Sequence, residues 1–393
     1  MLKKKIRKLI VAYCPPIWIF HKIFSLRMIR VTCRYIIPRK FIERAESDLS
    51  EKERVVNKYS KKHKKYANSF DKTVERFMKL AVPYRERMDD ERLRTDIRFC
   101  RYAYGFLPEE YLMYNLEKKT EYQRREYISD FDRLKFTFKL NPYLSADMLD
   151  DKYETYLKFM PYYKREAIEI SSPEHYNNFK EFVMKHPVFV KKMALQSLGI
   201  SVALIDIAEC GKTETECFYE MIKNGKHILE ERVIQSEPLE ALNQSSVNTV
   251  RCVTFNTKKG IAIPNGFIKT GRNGMFVDNG GQGGILIGVD FSNGKLSTDG
   301  FTEYGESFEK HPDTGIQFKG YQLPDFPRML EICKEMSMMI PSIKYVSWDM
   351  AHTDSGWVVI EGNFQGYYIG QQSTWKRGLK REIEDLLSKM ETI

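Results

Sequence analysis

Residues 347–366 read SWDMAHTDSGWVVIEGNFQG, and their pattern decides the fold. Asp349 lies on one strand, Asp354-Ser355-Gly356 supplies a turn, and Glu361 and Asn363 lie two residues apart on the returning strand. Side chains two apart share a sheet face, so two carboxylates and an amide converge. Hard oxygen donors of this kind suit Mg²⁺, which completes its shell with phosphate oxygens and water. The plain alternative is a surface hairpin whose acids face water. Against it, Glu361 follows the apolar run Trp357-Val358-Val359-Ile360, and a carboxylate at the end of a buried strand needs a partner. An ATP-dependent enzyme requires such a clamp.

Four segments upstream carry further candidate chemistry. HPVFVKK delivers Lys191 from a short apolar strand into a turn, where a fixed positive charge meets a phosphate. Lys192 would point the other way, so only one of the two can face the site. GKHILEERVI places Glu230 and Glu231 at the end of a strand, open either to a nucleotide or to solvent. SSVNTVRCVT puts Asn248 and Arg251 at the head of another strand, with Arg251 a fork for a phosphoryl or carboxylate group. DNGGQGG offers backbone N–H groups from Gly280 to Gly284 or serves only as a hairpin turn; it is neither a Walker A loop nor a Rossmann fingerprint. DDKYETY contributes Lys152 ahead of a helical stretch.

These segments fix the organisation. From Asn141 on, strand-like runs alternate with Gly, Asn and Asp turns and with helical patterns at 173–185, 326–339 and 378–390, which reads as α+β. Residues 47–140 are rich in helix formers, and Val74, Phe77, Met78 and Val82 recur at helical spacing as a packing face. The aromatics of FCRYAYGFLPEEYLMYNL read as core. Residues 1–46 form a basic amphipathic arm: the net charge of +10 is concentrated in residues 1–44, where twelve Lys/Arg meet the single acid Glu43. Its longest apolar run, residues 9–20, is too short to span a bilayer and contains Pro15 and Pro16. No small-residue cleavage site follows it. Basic residues mixed with Phe24, Leu26, Ile29, Trp18 and Tyr35 favour an interfacial anchor on an anionic membrane surface over a helix packed on the body. The neutral body and the lack of base-stacking platforms argue against nucleic acid. Seven cysteines without a C-x-x-C pair indicate neither a zinc ribbon nor a disulfide framework, and point to a reducing, cytoplasmic setting. The histidines are scattered and form no nucleophile–base arrangement; His311 reads as a solvent-facing loop residue and His352 as a neighbour of Asp349.

In this order, from DDKYETY to WDMAHTDSGWVVIEGN, the segments resemble the ATP-grasp superfamily, and most closely its sugar-transfer-associated branch found with bacterial cell-surface polysaccharide genes. The likeness covers residues 141–390. It implies a body, residues 141–393, of two α/β subdomains that clasp ATP, preceded by a helical region. It implies that Lys152 and Lys191 hold the phosphates and that Glu230, Glu231 and the backbone near Val233 line the adenine hinge. Glu237 would reach the ribose, Arg251 would steady the transferred phosphoryl group, and Asp349, Glu361 and Asn363 would bind Mg²⁺. The implied reaction activates a carboxylate as an acyl phosphate and captures it with an amine. The substrate class is a carboxylated sugar or an amino acid joined to a surface glycan, with lipid-linked intermediates and glycosyltransferases as partners at the inner face of the cell membrane. Two other readings stay open: a phosphotransferase that uses the same lysines and metal ligands on a sugar hydroxyl, and a non-catalytic partner of a glycosyltransferase, held at the membrane by residues 1–44, that binds little ATP. The stretch KKMALQSLGIS departs from the family's Gly-rich flap, which leaves Gln196 and Ser197, or the Gly280–Gly284 turn, to cover the phosphates.

Overall fold

A computed structural model describes residues 17–142, 146–195 and 202–390. The longer helices of the first third are α1 (Ile17–Thr32), α2 (Leu49–Lys62), α3 (Lys64–Leu80), α4 (Glu91–Tyr104) and α5 (Asp130–Leu140). Their ends follow local chemistry. Asp48 and Asp90 cap α2 and α4 by accepting backbone N–H groups, and Gly105 ends α4 in the left-handed conformation at φ 86°. A side chain at Gly105 would collide with Phe131, so this glycine also lets α5 approach. Phe70, Val74, Phe77 and Met78 form the buried stripe of α3, as their spacing predicts, but Val82 is exposed. The helix stops at Leu80 and a 3₁₀ segment beginning at Val82 turns that side chain outward.

The second part holds two antiparallel sheets. The smaller orders its strands β1-β4-β2-β3, from β1 (Ala167–Ile170), β2 (Val188–Met193), β3 (Ala203–Asp206) and β4 (His227–Glu231). After β1 comes α7 (Tyr176–Lys185) and before β4 comes α8 (Glu214–Lys223), while α6 (Lys152–Tyr163) precedes β1. Phe179, Phe182, Phe218 and Met221 from α7 and α8 pack on Phe189 and Leu229. The larger sheet runs β10-β9-β8-β7-β5-β11-β12, with β6 paired to β5. Its strands are β5 (Thr249–Thr257), β6 (Gly260–Ala262), β7 (Gly266–Thr270), β8 (Ile285–Asp290), β9 (Lys295–Thr302), β10 (Ser307–Phe308), β11 (Tyr345–Thr353) and β12 (Gly356–Asn363).

The two faces of the larger sheet have different fates. Val250, Cys252, Trp348, Met350 and Val359 pack against α9 (Phe326–Met338) and α6. On the opposite face, Val253, Phe255 and Tyr345 are covered by Phe136 and Leu140 of α5 and Ile383 of α10 (Lys380–Ser388). The rest of that face, including Arg251, Phe267, Lys269 and Asp349, is left as the floor of a cavity. The helical third is therefore built onto the body: α5 sits in the body's core, and Asn141 donates to the carbonyls of Tyr345 and Phe364 at 2.8 and 2.7 Å. Ile36, Ile37 and Ala45, expected in the peripheral arm, are buried in the helical core. No described helix is long and apolar enough to cross a membrane.

Candidate functional site

A cavity of about 1010 Å³ lies between the two sheets and the helical third. Its floor is the β5–β11–β12 junction. Asp349 stands directly opposite both Arg251 on β5 and Glu361 on β12, and Asn363 stands opposite Ser347. The three expected metal ligands thus share one sheet face. A β-bulge makes this possible. Met350 pairs with Val359 while Asp349 pairs with Glu361, so Ile360 is an extra residue that reverses the facing of the strand. Trp357 and Val359 consequently enter the core with Met350, and Glu361 and Asn363 turn to the cavity.

The floor is densely charged. Arg251 donates to both oxygens of Asp349 at 2.8 and 2.6 Å, and Lys269 donates to Oδ2 at 3.0 Å. Burial pushes the Asp349 carboxyl upward, but Arg251 and Lys269 outweigh it and hold the group at about 2. These three bonds leave Asp349 a lone pair on Oδ1, since each carboxylate oxygen accepts two bonds. Glu361 and Asn363 face the cavity beside it, and the donor set fits an Mg²⁺ ion held jointly with phosphate oxygens. Lys152, at the first turn of α6, approaches Glu361 at 3.8 Å, and its backbone N–H donates to Ala194 just past β2.

The smaller sheet supplies the roof. Glu230 is buried and accepts from Arg165 at 2.9 and 2.7 Å and from Lys192 at 2.8 Å. Burial raises this carboxyl, yet Lys192 and Arg165 hold it at about 2. Lys191, expected at the phosphates, is placed elsewhere. Phe189 and Lys191 share the face that packs on α7 and α8, whereas Val190 and Lys192 face the cavity. The lysine brought to the site is Lys192.

The hinge keeps part of its expected form. β4 is bonded on both sides as far as Glu231, after which residues 232–235 leave the ladder along the cavity wall. No backbone–backbone hydrogen bond among the described residues uses Val233. Glu231 lines the cavity, but its carboxylate accepts from the Glu166 N–H at 3.1 Å, and Glu230 is locked in its ion pairs. Glu237 opens the short helix Glu237–Leu242 outside the cavity lining, while Glu240 reaches the wall one turn later.

In the Gly280–Gly284 turn, Gly281 N–H donates to Asn279 Oδ1, Gly283 N–H to Gly280 O, and Gly284 N–H to Asn279 O. These donors are engaged within the turn. Gln196, Ser197 and Gly199 lie outside the described residues, as do Lys3-Lys4-Lys5 and residues 9–16 of the arm's apolar run. His311 is not a solvent-facing loop residue: it is 1% exposed, and its Nε2 bonds the Gly271 carbonyl at 2.8 Å. His352 is on β11 but faces Trp357 rather than the Asp349 side, and its Nδ1 meets Ser236 Oγ at 2.7 Å. Arg165, Lys269 and Asp278 are cavity residues that the sequence patterns did not single out, whereas Lys192 was the alternative to Lys191. For Lys269 a signal existed, because Lys269 on FIKT lies on the strand beside Thr249-Val250-Arg251.

A family model described as sugar-transfer associated ATP-grasp matches residues 132–386. The chain belongs to this ATP-grasp family. Among solved structures it is similar to D-alanyl-alanine synthetase A from Vibrio cholerae O1 biovar eltor, with 10% identity and a TM-score of 0.39 over 62% of this chain and 66% of that one. It is similar also to the VanG D-Ala:D-Ser ligase from Enterococcus faecalis, with 11% identity and a TM-score of 0.39 over 61% and 62% of the two chains. A third is purK, N5-carboxyaminoimidazole ribonucleotide synthetase, with 9% identity and a TM-score of 0.36 over 59% and 50%. The chain thus spans 66% of the first of these and 50% of the last. No curated protein matches. The family match begins inside α5, which agrees with that helix packing into the body of this ATP-grasp chain.

Proposed function

We propose that this protein is an Mg·ATP-dependent ligase that activates a carboxylate for capture by an amine, working in cell-surface polysaccharide biosynthesis. The observation that carries the reading is the convergence of Asp349, Glu361 and Asn363 on one face of a bulged hairpin, under a cavity lined by Lys152, Lys192, Arg251 and Lys269. Bound Mg·ATP supplies the phosphoryl group that turns a carboxylate into an acyl phosphate. Glu361, Asn363 and the open lone pair of Asp349 hold the metal. Lys152 and Lys192 neutralise phosphate oxygens, and residues 232–235 offer backbone groups to the adenine. Arg251 and Lys269, pre-positioned by Asp349, stabilise negative charge as it shifts toward the leaving phosphate. The family's description supports the sugar-transfer setting.

The arm is assigned to the anionic inner face of the cell membrane. Ile23, Leu26 and Val31 of α1 are exposed at 59, 56 and 68%, and Lys22, Arg27 and Arg30 lie among them. The site is tested by calorimetry with Mg·ATP on the wild type and Glu361→Gln. Mg-dependent binding lost in the variant supports the reading. No binding by either protein overturns it in favour of a non-catalytic membrane partner. Transfer of phosphate to a hydroxyl, seen by product analysis, would make it a phosphotransferase.

A further inference from the structure

The cavity has further lining residues that this chemistry does not use. Glu109, on the short helix Pro108–Met113, and Glu303, just past β9, both line it, together with Phe77, Leu80, Tyr304 and Tyr367. The other buried carboxylates around the cavity are satisfied. Asp349 and Glu230 each have two cationic partners, Asp278 has Thr249 and Lys269, and neighbouring Glu110 accepts the N–H groups of Leu107 and Asp130. Glu109 differs: its Oε2 is buried and has no hydrogen-bond partner. A buried carboxylate oxygen left without a partner costs stability unless something occupies the site.

Glu303 is fitted to the same place by a glycine. A side chain at Gly280 would meet Glu303 Oε1 at 2.5 Å, so the Gly-rich turn makes room for this carboxylate. Tyr304 donates to the Gly281 carbonyl at 2.6 Å and ties the two segments together. Burial and then Glu109 push Glu303 up to about 7, with Arg251 and Lys269 pulling the other way. Burial likewise raises Glu109, with Arg76 opposing it. Two acids facing one pocket cannot both ionise freely, so the empty pair retains a proton near neutrality.

We propose that Glu109 and Glu303 form a subsite for the ammonium group of the acceptor, a primary amine, with the N-terminal helical third supplying half of it. The inference rests on the ligase reading above. A monocation replaces the shared proton and gives each carboxylate a partner, while the apolar and aromatic walls shield the pair. Two carboxylates suit an ammonium ion better than a divalent metal, which takes more ligands; no group of three or more His, Cys, Asp or Glu side chains among the described residues could hold one.

The test uses the full chain and ethylamine hydrochloride as probe, with ethanol as the uncharged isostere. Calorimetry at pH 7, in two buffers of different ionisation heat that carry no primary amine, should show saturable ethylamine binding with proton release and no binding of ethanol. Glu303→Gln and Glu109→Gln should weaken ethylamine at least tenfold and abolish proton release. Glu303→Asp should retain both, and Mg·ADP affinity should stay within twofold in all three variants. Ethylamine binding no better than ethanol, or binding in both Gln variants as tight as in the wild type, overturns the subsite. Charge-dependent ethylamine binding in a protein that ignores Mg·ADP upholds the subsite and removes the ligase reading instead.

Discussion

Asp349 stands opposite Glu361 across the β11–β12 hairpin although its neighbour Met350 stands opposite Val359, and this one-residue offset separates core from site. Deleting Ile360 removes the extra residue, so Glu361 follows Val359 directly, stays opposite Asp349, and keeps the cavity face together with Asn363. The Mg-dependent thermal shift should therefore persist in the deletion variant, and its loss would remove the register argument. Gly362→Ala acts on packing instead. Its new methyl meets Trp348 at 2.6 Å, so packing should weaken by about 1–3 kcal/mol while the metal response persists.

Asp349 and Glu361 should separate stability from ligand binding. Asp349→Asn leaves Arg251 and Lys269 beside a neutral amide in a buried site, a loss of about 3–5 kcal/mol. Glu361 is a third exposed and only 3.8 Å from Lys152, so Glu361→Gln should leave stability within about 0.5 kcal/mol. The Mg·ATP response should nevertheless disappear in Glu361→Gln. Parallel denaturant and calorimetric titrations decide this; equal losses of stability in the two variants would remove the distinction.

How far the sequence carries is visible in particular residues. Asp349, Glu361 and Asn363 were legible because a turn and an i, i+2 spacing constrain a hairpin strongly. The bulge at Ile360 was not, since an apolar run fits either register. The choice between Lys191 and Lys192 turned on the parity of one strand, and strand parity depends on which face meets α7 and α8. Glu237 missed the wall because the hinge ends in a helix cap at Ser236, whose N–H donates to the His352 carbonyl. Glu109 and Glu303 are far apart in sequence and carry no local signal. Only the packing of the helical third on the Gly280 turn brings them to one cavity.

The two lysines of β2 provide a direct test. Lys192→Ala leaves buried Glu230 with Arg165 alone and should cost about 2–4 kcal/mol, together with most of the affinity for Mg·ATP. Lys191→Ala, on the other face, should change both by little, within about 0.5 kcal/mol in stability. Lys192→Met keeps the stem and tests charge. Nucleotide affinity retained in Lys192→Met and lost in Lys191→Ala would reverse the assignment.

Acid should act through Asp349 and Glu230. Both carboxyls are held at about 2, below their unfolded values. Their contribution is therefore present above about pH 4 and is lost as pH falls through about 2. Glu303 has the opposite sign. Its carboxyl is raised to about 7 by burial and Glu109 against Arg251 and Lys269, so its contribution is full in acid and lost as pH rises through 7. Glu303→Gln should thus stabilise the protein at pH 8 and change little at pH 5, measured by urea unfolding at both values.

The arm should bind membranes through charge first and insertion second. Lys22, Arg27 and Arg30 each contribute about 1 kcal/mol at an anionic surface, a term that salt screens. Ile23, Leu26 and Val31 add apolar contact that salt does not remove. Phosphatidylglycerol vesicles should sediment the full chain, and neutral phosphatidylcholine vesicles should not. Removing residues 1–32 should abolish sedimentation while leaving Mg·ATP binding intact: α1 packs on α5, but no described residue before Thr73 lines the cavity. Replacing Ile23, Leu26 and Val31 with Ser should make the remaining binding fully reversible by 0.5 M salt, at which the screening length is well under about 8 Å. Sedimentation that survives the truncation would place the membrane contact on the body instead.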